Sequence, residues 1–117
     1  MFKTLIIDGK EMGFAANAAT PFRFKQTFHK DLFYVLGNEK RAEEDGVETI
    51  TQLAFIMAKQ AEKTDMNKLN NDAFLEWLEG FSPMAFVDAA EDILNAYMDQ
   101  TASTVEAKKN KEPQRDE

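Results

Sequence analysis

The sequence predicts a mainly α-helical protein with an N-terminal β-hairpin, about four helices in a small bundle, and a disordered C-terminal tail. Three observations carry that prediction. Phe2–Ile7, rich in β-branched and aromatic residues, runs into Asp8-Gly9, the strongest short hairpin signal, because both central positions of the tight turn need positive φ. Apolar residues then recur at three- and four-residue spacing through residues 20–99, the period of amphipathic helices. From Gln100 the chain turns to Ser, Thr, Lys, Asn, Glu and Pro without periodicity, the composition of a segment that cannot bury a core. The expected organisation is a folded region over 1–100 and a flexible polar tail over 101–117.

Element by element, Lys10–Phe14 is expected to return from the turn as a second strand. Two strands alone are marginal in water, so the hairpin must lean on the helices or pair with another chain's edge. Ala15–Ala19 is a small-residue connector, and Thr20-Pro21 opens a first long helix, about Pro21 to Leu36, with Thr20 as cap and proline at the first helical position. Phe24, Phe28, Leu32, Val35 and Leu36 share one face, and Gly37-Asn38 is the stop. Glu39–Glu44 reads as charged loop. Asp45 with Glu48 forms a capping box for a second helix whose stripe is Ile50, Leu53, Ala54, Met57 and Ala61.

Glu62–Asn70 is a polar connector. A short third helix spans about Asp72 to Glu79, and Gly80 can end it. Ser82-Pro83 can cap and start a fourth, to about Asp99. The core expected from these stripes is Phe24, Phe28, Leu32, Leu53, Met57, Trp77, Leu78, Phe86, Ile93 and Leu94.

Composition bounds the function. The 117 residues hold 44% apolar and 30% charged residues, enough for one compact core. There is no cysteine, which removes disulfides, thiolate chemistry and cysteine metal sites. The apolar run near the start is too short for a signal peptide, and no stretch approaches the roughly 20 apolar residues of a membrane span. The expected setting is a reducing cytoplasm. The net charge is −7, and beyond Thr101 four basic residues balance four acidic ones, so the acidic excess lies in the folded part. Binding a nucleic-acid backbone needs the opposite sign, which argues against a nucleic-acid partner.

No catalytic or metal-ligating pattern emerges. His29 is the lone histidine, with no second ligand at metal spacing. Glu76 with Glu79, and Asp88 with Glu91 and Asp92, line helix faces, whereas glycosidic chemistry needs two carboxyls across a cleft. Gly9 and Gly13 lack phosphate-loop spacing, and Glu43–Asp45 with Glu48 lack the alternating calcium-loop ligands. The expectation is a non-enzymatic protein without cofactor or metal. What remains is apolar surface. Phe22 and Phe33 project away from the stripe of the first helix, and Phe55 and Ile56 lie off that of the second. Either these helices are buried on two sides, or the four residues form a strip held for a partner, another copy or an amphipathic helix laid in a groove.

Two segments carry a resemblance. Ala18–Leu36 reads AATPFRFKQTFHKDLFYVL, and Phe74–Ala90 reads FLEWLEGFSPMAFVDAA. Together they resemble the tail assembly chaperones of long-tailed (siphovirus-like) phages and prophages of Gram-positive bacteria. In that family an A-T-P-aromatic/basic-K-Q-x-F-x-K-D-L block follows a short hairpin, and F-L-E-W-L-E-x-F-x-P-x-A-F leads into the last helix. Thr20, Pro21, Lys25, Gln26, Phe28, Lys30, Asp31, Leu32, Phe74, Leu75, Trp77, Leu78, Phe81, Pro83, Ala85 and Phe86 match. His29 departs from a common glycine.

The resemblance implies a chaperone that binds the tape measure protein, keeps it soluble, and recruits tail tube protein. It implies action in the bacterial host's cytoplasm and absence from the mature virion. It also implies a frameshift-extended longer form, for which Lys108-Lys109-Asn110-Lys111 offers a place of extension; apart from the resemblance, the unpaired edge of Phe2–Ile7 and the spare aromatics Phe22 and Phe33 lead to the expectation of a homo-oligomer. It supplies no catalytic residues. The rival expectation is a small acidic helical adaptor or antitoxin-like regulator of a basic partner.

Overall fold

A computed structural model describes residues 2–101; the polar segment beyond, including Lys108 to Lys111, lies outside the described residues. The fold is mainly helical behind an N-terminal hairpin, as the sequence predicts. Strand β1 (Phe2–Ile7) pairs antiparallel with β2 (Lys10–Ala15). Asp8 and Gly9 turn between them with φ of 56° and 78°, the two positive values the tight turn demands. Side chains alternate across the pleat. Leu5, Ile7, Met12 and Phe14 face the core, while Phe2, Thr4 and Ile6 face out. The Phe2 ring lies against the backbone of Gly13, where a Cβ would collide with it.

Five helices follow. The expected single helix from Pro21 to Leu36 is two, α1 (Thr20–Phe28) and α2 (Leu32–Leu36). The break has a local cause. Asp31 accepts hydrogen bonds from the backbone N–H of Phe33 (2.9 Å) and Tyr34 (3.3 Å), a cap that competes with continuation of the helix. His29 ends α1 in the left-handed region, at φ 57°. Thr20 is not the cap but the first helical residue. It is buried, and its hydroxyl accepts from Asn17 N–H (2.9 Å) and from Gln60 Nε2 (2.9 Å).

The second expected helix starts earlier than the sequence suggested. α3 covers Glu39–Glu62, with Asn38 accepting from Arg41 N–H (3.1 Å) as its cap. Glu39–Glu44 is therefore helix rather than loop, and the Asp45/Glu48 box lies unused in its interior. Once Asn38 has capped the end, a run of good helix formers propagates it. Lys63 terminates α3 at φ 61°. The left-handed helix stops are thus His29 and Lys63, whereas Gly37 sits at φ −85° and Gly80 is not left-handed either.

A 3-10 turn at Met66–Lys68 interrupts the polar connector. α4 (Asn71–Leu78) is capped by Asn70, and α5 runs Ala85–Thr101. Ser82 does not cap α5. Its hydroxyl and N–H both donate to Asp8 at the hairpin turn (2.9 and 3.0 Å).

The core is organised around α3. Every residue from Thr49 to Ala58 is buried, the signature of a helix enclosed on all sides. The hairpin, α1, α2, α4 and α5 supply the enclosure. Of the expected core, Phe24, Leu32, Leu53, Met57, Phe86 and Ile93 are buried, with Phe28, Trp77, Leu78 and Leu94 half-buried against them. On one flank the rings of Phe28, Phe55, Phe74, Trp77, Phe81 and Phe86 form a continuous cluster with centroid separations of 4.9 to 6.5 Å, the range in which edge-to-face and tilted pairs are favourable. The hairpin is tied in by Gln100. Its carboxamide accepts from Ala16 N–H (2.9 Å) and donates to Phe14 C=O (3.1 Å).

Candidate functional site: an apolar strip across α1, α2 and α5

The four candidate contact residues separate into two pairs. Phe55 and Ile56 are fully buried. They belong to the core, because α3 is covered on the side the sequence reading left free. Phe22 and Phe33 are exposed, at 75% and 62%. Both stand on the short helices that the Asp31 cap separates, and Phe33 leaves the surface between buried Leu32 and Val35.

Phe33 borders a groove of about 480 Å³. Its walls are Leu32, Phe33, Leu36 and Gly37 from the α2 end, Ala42, Gly46 and Ile50 from α3, and Leu94, Tyr97 and Met98 from α5. The walls are almost wholly apolar. α3 contributes small residues here, and a Cβ built on Gly46 meets nothing within 4 Å, so the groove is open because α3 has no side chain to fill it. Gly37 has a different role: a Cβ there would lie 2.7 Å from the Phe33 carbonyl oxygen, so glycine lets the chain pass close to α2. Burial raises the pKa of the Tyr97 phenol, which therefore lines the groove as a neutral group.

The groove continues along the surface. Phe33 and Tyr97 also border a neighbouring hollow of about 300 Å³ with Pro21 and Ala18. Next to Pro21 in the chain, Phe22 rises from a third hollow bordered by Ala19, Arg23, Lys25 and Gln26. One apolar strip therefore runs from Pro21 through Phe33 to Leu36, Leu94 and Met98, with Phe22 exposed on another face of α1. Its ends differ in charge. Thr20–Lys30 carries Arg23, Lys25 and Lys30 and no carboxylate. At the groove end, Glu39 and Glu43 fall on the α3 face of Ala42, Gly46 and Ile50, and Glu91 falls on the α5 face of Leu94 and Met98. Lys40 and Arg41 point to other faces of α3, Arg41 lying 4.7 Å over the Tyr34 ring.

The remaining candidates stay dispersed. His29 is exposed at the α1–α2 break, and Glu76, Glu79, Asp88, Glu91 and Asp92 are all exposed. Among the described residues no group of three or more His, Asp or Glu could hold a metal ion, and no helix is long and apolar enough to cross a membrane. Asp8 has a lowered pKa, first through the Ser82 backbone N–H and then through the Ser82 hydroxyl. That group is exposed at the hairpin turn and ties it to the α4–α5 loop.

Sequence reasoning missed the groove because it placed Leu36 on the apolar stripe of the first helix and Leu94 in the core, so neither marked an opening. The available signal was Ala42 and Gly46, small residues one helical turn apart opposite large ones. No family model, curated protein or solved structure matches this chain.

Proposed function

We propose that the protein is a non-enzymatic tail assembly chaperone of a long-tailed phage or prophage. It binds a helical stretch of the tape measure protein, keeps that long chain soluble, and promotes assembly of tail tube protein around it in the host cytoplasm, leaving before the virion is complete. A frameshift-extended form of the same chain is the further partner this reading expects. The observation that supports it is the strip from Pro21 through Phe33 to Leu94. It is a concave apolar surface on a well-packed body, of the kind that receives an amphipathic helix. The two segments that carry the family resemblance have separate uses in it. TPFRFKQTFHKDL builds α1, the Asp31 cap and the start of α2, and so the strip's outer wall. FLEWLEGFSPMAF builds the ring cluster that holds α4 and α5 against α3.

The test is coexpression with the long helical protein that this reading expects to be encoded just downstream. With the wild-type chain present that protein should remain in the soluble fraction and copurify. Phe33→Glu, which alters an exposed position, should return it to the pellet. A downstream protein equally soluble without the chain, or an unchanged copurification with Phe33→Glu, would refute the reading.

A further inference from the structure

We infer that the chain beyond α5 turns back along the hairpin and adds to the free edge of β1 as a third strand, its lysines set against the carboxylates of α5. The sheet has two strands among the described residues, and their outer edges differ. β2 packs mainly on α3, and the chain at its end is bonded by Gln60 and Gln100. β1 packs on α5. With a two-residue turn, Ile7 and Lys10, Leu5 and Met12, and Lys3 and Phe14 exchange the ladder bonds. Phe2, Thr4 and Ile6 therefore aim their N–H and C=O away from β2, and Phe2 and Ile6 are exposed at 58% and 75%. Such an edge is a template for another strand.

Beside that edge α5 forms a shelf. A hollow of about 180 Å³ lies between the end of β1 and α5, lined by Ile6, Ala85 and Ala89 together with Asp88 and Asp92. The alanines leave room for a backbone to approach. Asp88 and Asp92 make no ion pair among the described residues, while Asp99, two turns beyond Asp92, reaches Lys3 at 3.7 Å. The shelf therefore offers unmatched negative charge along its far half.

The chain supplies a matching segment at the right place. α5 ends at Thr101, just after Asp99 and Gln100 have bound Lys3, Phe14 and Ala16 at the open end of the hairpin. A short turn there directs the chain back parallel to β1. Residues 105–110 then span about 17 Å, close to the length of β1 and to the roughly 16 Å between Asp99 and Asp88 along α5. Lys108, Lys109 and Lys111 come level with Asp92 and Asp88. On the two-residue period of a strand, Val105 and Ala107 share a face with Lys109 and Lys111, small apolar groups followed by cations. The polar composition suits the place, because an added edge strand is held by main-chain hydrogen bonds and lysine is at home on an edge. Pro113 falls beyond the added stretch, where it interrupts no ladder bond. The inference does not rest on the proposed function, because it concerns the isolated chain.

The experiment is amide hydrogen exchange read by NMR on the full-length chain at two concentrations. The amides of Thr4 and Ile6 should exchange about tenfold or more slowly than an open edge allows, equally at both concentrations, and faster as salt is added. Changing Lys108, Lys109 and Lys111 together to Glu should remove that protection and leave the ladder amides of Leu5 and Ile7 unchanged. Adding Asp88→Lys and Asp92→Lys to that variant should restore it. Val105→Pro, which takes a donor from the added strand, should remove it without altering any charge. Fast exchange at Thr4 and Ile6 in the wild-type chain overturns the inference, as does protection indifferent to the lysine changes. Protection that grows with concentration overturns it by assigning the edge to a second copy. Failure of the charge swap to restore protection overturns the pairing with α5.

Discussion

The two flanks of α3 are filled to different degrees, although one helix supplies both. Towards α4 it presents Phe55, whose ring meets those of Phe28, Phe74 and Trp77 at 5.4 to 6.2 Å within a chain of rings that closes on Phe81 and Phe86. Towards α2 and the end of α5 it presents Ala42 and Gly46, and the space opposite stays open. Side-chain volume on one helix thus decides which surface is interior and which is a receptor. Of the ten phenylalanines, Phe28, Phe55, Phe74, Phe81 and Phe86 go into the closed flank, and Phe33 borders the open one.

The comparison can be broken by substitution. On the closed flank, Phe55→Ala should cost about 3–5 kcal/mol, the loss of a fully buried ring plus the cavity it leaves; chemical denaturation measures it, and a loss below 1 kcal/mol would mean the cluster is not close-packed. On the open flank the sign reverses. Gly46→Ala should stabilise by about 0.5–1 kcal/mol, since alanine restricts the unfolded chain and its methyl meets open space. A destabilised variant would show that the groove is filled. Phe33→Ala should change stability by no more than about 0.5 kcal/mol, as expected for an exposed position, while weakening whatever contact the strip makes. A large loss would return Phe33 to the core.

The smallest effect lies at the hairpin turn. The Asp8 pKa is lowered from its ordinary 3.8 by the two Ser82 donors. A depressed carboxylate contributes stability above its unfolded pKa and loses it as pH falls through the folded value. Asp8→Asn keeps a residue suited to the left-handed conformation and removes the charge. Its melting temperature should therefore lie slightly below wild type at pH 6, with the gap closing below the wild type's acid transition. A gap of constant size across that range would detach the loss from the carboxylate.

The hairpin was legible because Asp8-Gly9 is a local signal with a single stereochemical meaning. α4 and α5 were legible within two residues, because their apolar stripes are bounded by capping residues or by proline. The break after Phe28 was not. The apolar stripe continues through it, and only the capping chemistry of Asp31 divides the helix. Phe55 and Ile56 were misread for a more general reason. A helical stripe assumes one buried face, and a helix buried all round has residues off the stripe that are nevertheless interior. The groove was hidden in turn because an alternation of large and small residues across two helices shows only once the helices have been placed side by side.

Gln100 has a consequence in time. Its carboxamide supplies the outer edge of β2 with the donor and acceptor that a third strand would offer, binding Phe14 C=O and Ala16 N–H. The partners are 84 and 86 residues apart, so the hairpin is sealed by a side chain of α5 that is synthesised long after it. At roughly 5–20 residues per second, the hairpin waits on the order of 4 to 17 s on the ribosome with that edge unmatched. Until then its backbone is open to any neighbouring nascent chain. Completion of α5, rather than formation of the turn, is the event that closes it.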